Sequence, residues 1–319
     1  MNKDKLIDDY KVVSANSNNY LALKAINGLG NRIRAYIFYK VLAKKLNRKF
    51  YLCWEKTIGF DDTPFDKMFA TDESLISDSI FNKMQKKSIN LNDFIQQSKC
   101  KQYEEFKGNQ YSEHSHKKSV IENVRKYNFL MSDFSTRQYK DVPLTIETSN
   151  LIWPNFLGYE DDFNYELSRL KLSPEYQKMV SAITCNFNKN TYGIHIRKGD
   201  AVDKNNPDSH NYLESHDDKH FTNTMDKLIA THDDAKFFLA TDGKETFDKF
   251  KAIYGNRIIE NPNKNFHVSK YNTSKDGQLD ALIDMFCLAN TKIIIGTSWS
   301  TFCWIASGIG KITLMIKKT

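Results

Sequence analysis

The densest chemical signal in the sequence is Tyr192-Gly193-Ile194-His195-Ile196-Arg197-Lys198-Gly199-Asp200. His195 and Arg197 are two residues apart, so on an extended strand both side chains leave the same face. An arginine fork suits a diphosphate, which it grips through two parallel hydrogen bonds. A strand tip carrying His, Arg, Lys and Asp is costly to bury unless those groups meet partners. The residues alone leave a plainer reading open, an ordinary strand end whose Arg197 and Asp200 pair with each other. A second run, Phe237-Phe238-Leu239-Ala240-Thr241-Asp242-Gly243, is an apolar strand ending in Thr-Asp-Gly. Thr241 and Asp242 there could hold ribose hydroxyls, or Asp242 could cap the next helix. A third, Gly296-Thr297-Ser298-Trp299-Ser300-Thr301, is a hydroxyl-rich turn that opens a helix and follows Asp284 of the preceding helix. Such a turn offers backbone N–H groups and hydroxyls to an anion, although a simple Ser or Thr cap uses the same residues. The last, Gly28-Leu29-Gly30-Asn31-Arg32, is a glycine turn before a helix, where a backbone can approach a ligand closely.

The elements that must carry these residues follow from the hydrophobic pattern. Residues 20–26 alternate as a strand, a glycine turn leads to a helix over 31–46, and 49–54 form a second strand: a βαβ signal. From 59 to 155 the pattern weakens into short apolar pieces (88–91, 127–131), charged helical stretches such as 117–127, and a polar loop over 103–118. Tyr159-Glu160-Asp161-Asp162-Phe163-Asn164 reads as an acidic break, and Ser173-Pro174-Glu175 as a helix start with proline at the first helical position. The boundary between two domains, 1–165 and 166–319, is set in that region, as suits a chain of 319 residues. Beyond it the order is regular. Helix 174–185, strand 191–196, a polar loop over 198–218, a helix to 231, strand 236–240, helix 244–254 and strand 257–260 come first. Helix 277–289, strand 292–295, helix 299–307 and strand 311–316 complete it. Strand and helix in alternation make a parallel sheet covered on both faces, and such sheets bind ligands beyond the carboxyl ends of their strands. All the later signatures sit at those ends.

Composition narrows the function. The formal charge of +7 is spread along the chain without a stripe of Arg and Lys interleaved with aromatics, so a nucleic-acid partner is not expected. The five cysteines, Cys53, Cys100, Cys185, Cys287 and Cys303, are odd in number and form no CxxC pair, which fits a reducing compartment. No apolar window reaches the length of a transmembrane helix and the N-terminus has no apolar leader segment. A cytoplasmic location is expected, with association at a membrane surface left open. His114, His116, His210, His216 and His220 lack matched ligand spacing, so no metal site is expected. The pairs Asp61-Asp62, Asp161-Asp162, Asp217-Asp218 and Asp233-Asp234 read as loop or cap acids.

In this order, Gly28 to Arg32, His195 to Asp200, Leu239 to Asp242 and residues 279–301 resemble the fucosyltransferase superfamily of α1,6-, α1,2- and protein O-fucosyltransferases. The resemblance covers most of the second half of the chain and only a short stretch of the first. It implies an α/β, GT-B-like fold with two Rossmann-type domains facing across a cleft. It also implies an inverting, metal-independent transfer of L-fucose from GDP-fucose to a glycan hydroxyl, without a cofactor beyond the donor substrate. On this resemblance Arg197 grips the β-phosphate, His195 and Asp284 read the guanine, and Thr241 and Asp242 lie on the ribose side. Ser300 and Thr301 take the place of the phosphate-binding hydroxyl pair, with Ser298 beside them. Gly28, Gly30, Asn31 and Arg32 close on the donor from across the cleft. Two departures affect linkage. Lys198-Gly199-Asp200 replaces the Arg-Thr-Asp-Lys of the α1,6 group and is nearer the α1,2 style. The acid that group carries shortly after its motif falls here near Asn205, leaving Asp200 and Asp203 as candidates for the base. The 198–218 loop reads either as a cover for the donor or acceptor, or as surface. Two other functions remain: transfer from another nucleotide-sugar, or non-catalytic glycan or nucleotide binding on the same scaffold. Retention of both Arg197 and Asp284 argues against the second.

Overall fold

The computed structural model describes residues 19–57, 60–91, 142–148, 159–198, 218–262, 264, 266, 275–297 and 300–316. The expected pieces at 103–118, 117–127 and 127–131 lie outside them. The first elements are β1 (Tyr20–Ala25), α1 (Leu29–Lys45), β2 (Lys49–Cys53), α2 (Phe65–Met68), β3 (Leu75–Ile76), α3 (Asp78–Gln85), β4 (Ile89–Asn90), β5 (Leu144–Thr148) and α4 (Glu160–Ser168). They are followed by α5 (Pro174–Thr184), β6 (Thr191–Ile196), α6 (Asp218–Thr231), β7 (Lys236–Thr241), α7 (Lys244–Tyr254) and β8 (Ile258–Ile259). Last come α8 (Lys275–Ala289), β9 (Ile293–Gly296), α9 (Thr301–Gly310) and β10 (Thr313–Ile316). By contact the chain forms two compact units, one of Met1–Ile26, Arg34–Glu55 and Asp72–Glu166, the other of Asn27–Ile33, Lys56–Thr71 and Leu167–Thr319.

In the first unit β3-β2-β1-β5-β4 form a sheet whose pairings are all parallel. Strands β1 and β5 are buried on both faces, as parallel strands under helices must be. Tyr20, Ala22, Tyr51 and Cys53 build one side of the core with Ile76 and with Ile80, Phe81 and Met84 of α3. Ser77 starts α3 by accepting the Ile80 N–H on its hydroxyl at 3.3 Å. At the carboxyl end of β1, Lys24 pairs with Asp78 at 2.7 Å and Glu147 at 3.2 Å.

Residues 159–164, expected as a break, instead open α4. Glu160, Asp161 and Asp162 all fall in its first turn, where the positive end of the helix dipole favours carboxylates. Phe163 and Leu167, four positions apart, are both buried. The three acids that suggest a break along the sequence are the signature of a helix start.

The second unit holds the sheet β10-β9-β6-β7-β8, again parallel throughout. From β6 the chain first builds outward to β7 and β8, then returns to lay β9 on the other side of β6 and continues to β10. The order therefore reverses between β6 and β9. That switch point is where open α/β sheets leave a crevice beyond the strand ends. Ile194, Ile196, Phe237, Leu239 and Ile295 pack there with Phe221, Met225, Phe247 and Phe250 into a continuous apolar layer. A rigid core thus stands directly behind the strand tips.

Candidate functional site

At the switch point, three hydrogen bonds fix the exit of β6 against the exit of β9. The Thr297 N–H donates to the His195 carbonyl at 3.0 Å and its hydroxyl donates to the same oxygen at 3.1 Å. That hydroxyl also accepts the Arg197 N–H at 3.1 Å. The next N–H along, that of Lys198, is taken by Asp242 Oδ1 at 2.7 Å from the tip of β7. Asp242 thus clamps the backbone on which Arg197 stands. It does not cap α7, whose N-cap is Gly243 without a side-chain bond. Thr241 turns its hydroxyl to the Gly243 N–H at 3.3 Å and is buried.

His195 lies in register with Ala240 on one side and Gly296 on the other, two small neighbours that leave width for its ring. The imidazole stacks on Phe302 at 4.9 Å between centroids. Gly296 is required there, because a Cβ would stand 2.7 Å from Cys303 Sγ. Burial pushes the Cys303 thiol up to about 12, against a smaller opposing pull from Arg197, so it stays protonated and is no nucleophile.

The first turn of α9 faces the same strand ends. Ser300 occupies the N-cap position but makes no cap hydrogen bond. Its hydroxyl, buried beside the Cys303 thiol, meets no hydrogen-bond partner among the described residues. A helix start without a side-chain cap and with an unused hydroxyl has donors to offer an anion. Thr301 instead donates to Asn31 Oδ1 at 2.8 Å, joining α9 to the first turn of α1. The two turns come close because Gly30 has no side chain: a Cβ would lie 3.2 Å from the Phe302 nitrogen and 3.3 Å from the Thr301 carbonyl carbon. Gly28 has open space around it. Arg32, expected near the donor, is fully buried and engaged within the protein. Its Nε donates to the Asn27 carbonyl at 2.9 Å and its Nη2 to Thr57 at 2.7 Å, with the guanidinium 4.0 Å over Phe60. It braces Thr57 and Phe60 on the glycine turn.

Asp284 is buried on α8, and its Oδ2 forms an ion pair with Lys264. Burial pushes its carboxyl above the usual carboxylate range, against the opposing pull of Lys264 and Asn261. Asp200, Asp203 and Ser298 lie outside the described residues, as do His114, His116, His210, His216 and Cys100. Among the described residues no three His, Cys, Asp or Glu side chains gather as a metal site, and no helix is long and apolar enough to cross a membrane. The structure therefore brings Gly30, Asn31, Ser300 and Thr301 together, and ties the Arg197 N–H to Thr297 and the Lys198 N–H to Asp242. Two residues that sequence reasoning did not single out belong to the arrangement. Thr297 was visible as a hydroxyl at a strand exit. Lys264 gave no signal, standing 20 positions from the acid it meets.

Two parallel five-stranded sheets in one α/β chain make a fold of the GT-B type. That fold is similar to those of solved fucosyltransferase structures. The chain is similar to NodZ α1,6-fucosyltransferase soaked with GDP-fucose, at TM-score 0.59 and 15% identity over 91% of this chain and 92% of that one. It is similar also to POFUT1 in complex with GDP-fucose, at TM-score 0.56 and 12% identity over 93% and 97%. An arginine-to-lysine variant of Arabidopsis thaliana FUT1 in complex with GDP gives TM-score 0.55 and 14% identity over 98% and 74%. No protein-family model and no curated protein matches the sequence.

Proposed function

We propose that the chain is an inverting, metal-independent fucosyltransferase that moves L-fucose from GDP-fucose to a glycan hydroxyl. The observation that carries this reading is the start of α9, where the buried Ser300 hydroxyl meets no hydrogen-bond partner, and the helix N-terminus no side-chain cap, among the described residues. Phosphate oxygens fit such donors, and Arg197 leaves the neighbouring strand as a permanent positive charge. Support for the guanine nucleotide and for fucose comes from the similar folds, whose solved structures hold GDP or GDP-fucose.

In the transfer, the bond from the fucose anomeric carbon to the β-phosphate oxygen breaks and its electron pair stays on the diphosphate. Arg197 and the first N–H groups of α9 stabilise that charge, the largest electrostatic contribution asked of the protein. The acceptor hydroxyl forms the new bond from the opposite face and gives its proton to a carboxylate, for which Asp200 and Asp203 are the candidates. Arginine and helix N–H groups together neutralise the leaving group without a divalent ion.

Calorimetric titration with GDP and GDP-fucose in EDTA, for the wild type and Arg197→Ala, tests this reading. Micromolar binding that the substitution weakens at least about a hundredfold is expected, since a buried charge-assisted pair with phosphate is lost. Failure to bind any guanine nucleotide would overturn the donor assignment, and turnover that stops in EDTA would overturn metal independence.

A further inference from the structure

The first sheet has a switch point of its own. From β1 the chain builds outward to β2 and β3, then crosses to β4 and returns to lay β5 on the other side of β1. Open α/β sheets leave a crevice beyond the carboxyl ends of the strands at such a place. A transferase holds two substrates, and the nucleotide reading uses only the switch point of the second sheet.

The group at the exit of β1 and β5 is polar and partly open. β1 is buried at every position but Lys24, and β5 at every position but Glu147. These two residues are neighbours in register. Strand alternation puts Lys24 on the face of Tyr20 and Ala22, which packs against Ile80, Phe81 and Met84 of α3. That apolar cover stops where α3 begins, and there Asp78 completes the group. The Lys24 ammonium lies 2.7 Å from Asp78 and 3.2 Å from Glu147. Its side chain is 16% exposed, whereas each of the two acids is 41% exposed. Charge within the two central strands of a sheet is costly unless it is matched, and one acid is enough to match one lysine. The second acid leaves the group with a net negative charge that faces outward. Carboxylate oxygens accept from sugar hydroxyls, and a fixed ammonium donates to a sugar oxygen. An acidic sugar would meet two like charges, and a cation would meet the ammonium that already stands between the acids.

We infer that Lys24, Asp78 and Glu147 form a sugar subsite of the first unit, which binds an uncharged residue of the glycan acceptor through its hydroxyls. The inference rests on the glycosyl-transfer reading proposed above and gives the acceptor a place and a charge class.

The test is binding of labelled wild type, Glu147→Gln and Asp78→Asn to an array of neutral, amino-substituted and acidic oligosaccharides in the presence of GDP. Calorimetric titration of each protein with GDP runs beside it. Wild type should bind neutral oligosaccharides, and each substitution should weaken that binding at least about tenfold, the worth of a hydrogen bond to a charged group. Affinity for GDP should not change, since neither residue belongs to the second sheet. Neutral-glycan binding that survives both substitutions overturns the inference even where Tm falls, because the group would then be a structural ion pair alone. Binding confined to acidic or to amino oligosaccharides overturns it as well, and so does a wild type that binds no oligosaccharide. If one variant does not fold, the other decides, and if neither folds the charge class bound by the wild type does. A protein that binds GDP but fails on the array sinks only the subsite. One that binds neutral glycans through Glu147 but no guanine nucleotide keeps the subsite and loses the donor reading.

Discussion

At the scale of single residues, the arrangement turns on a hydroxyl. Thr297 holds the Arg197 N–H and the His195 carbonyl at 3.1 Å each and is 1% exposed. It touches no reacting atom in the proposed reaction and serves as a positioning residue for Arg197. Thr297→Val keeps the shape and removes both bonds, leaving a buried N–H without its acceptor. The expected outcome is a fall in kcat of about tenfold with little change in KM, because a loosened arginine costs most where charge develops. Thr297→Ser should restore kcat, which a mere packing defect would not predict. His195 and Arg197 were legible in the sequence because residue type and a spacing of two suffice to find them. The tie to Thr297, a hundred positions on, was not, since it depends on which strand pairs with β6.

At the scale of elements, strong periodicity read well and short or polar elements did not. Strand β6 and helix α7 were read with the bounds they have in the structure. Strand β5 was missed because Leu144-Thr145-Ile146-Glu147-Thr148 has only two strongly apolar residues. Its polar members are accommodated by partners: Thr145 meets the Ser88 hydroxyl at 2.7 Å and Glu147 pairs with Lys24. Such compensation is tertiary and invisible along the chain. The start of α6 carries a prediction of its own. Asp218 pairs with Lys198 from the strand exit and with Lys249 of α7, each at 2.8 Å. Burial works to raise the Asp218 carboxyl, but the two lysines outweigh it and the net shift is downward from 3.8. A carboxylate whose folded value is depressed adds stability above its unfolded value and loses it as pH falls through the folded one. Asp218→Asn should therefore lower Tm at pH 7 by about 1–3 °C, a partly exposed pair being worth at most about 1 kcal/mol. The difference should shrink as pH falls below 3.8 and the Asp218 carboxylate takes up a proton, which thermal unfolding at pH 7 and through the acid range will show.

At the scale of the whole molecule, the described residues that would meet the donor gather in one compact unit although the chain supplies them from far apart. Asn31 meets Thr301 across 270 positions, and residues 27–33 group by contact with the second sheet. Sequence distance hides that grouping, because a glycine turn after β1 reads as part of the strand it follows. The unit has its own sheet and its own apolar layer behind the strand tips. A ligand that binds only the native form of such a unit suppresses its opening by RT ln(1 + [L]/Kd), about 2.7 kcal/mol at a hundredfold excess over Kd. Amide hydrogen exchange with saturating GDP should then slow about a hundredfold in the core of β6, β7 and β9. The first turns of α1 and α9 should gain protection as well, since in the proposed reading their N–H groups face the phosphates. Peptides from β1, β2 and β5 supply the internal reference and should exchange at an unchanged rate. Slowing confined to those three strands would place the nucleotide on the other sheet and remove Arg197 and Ser300 from the site.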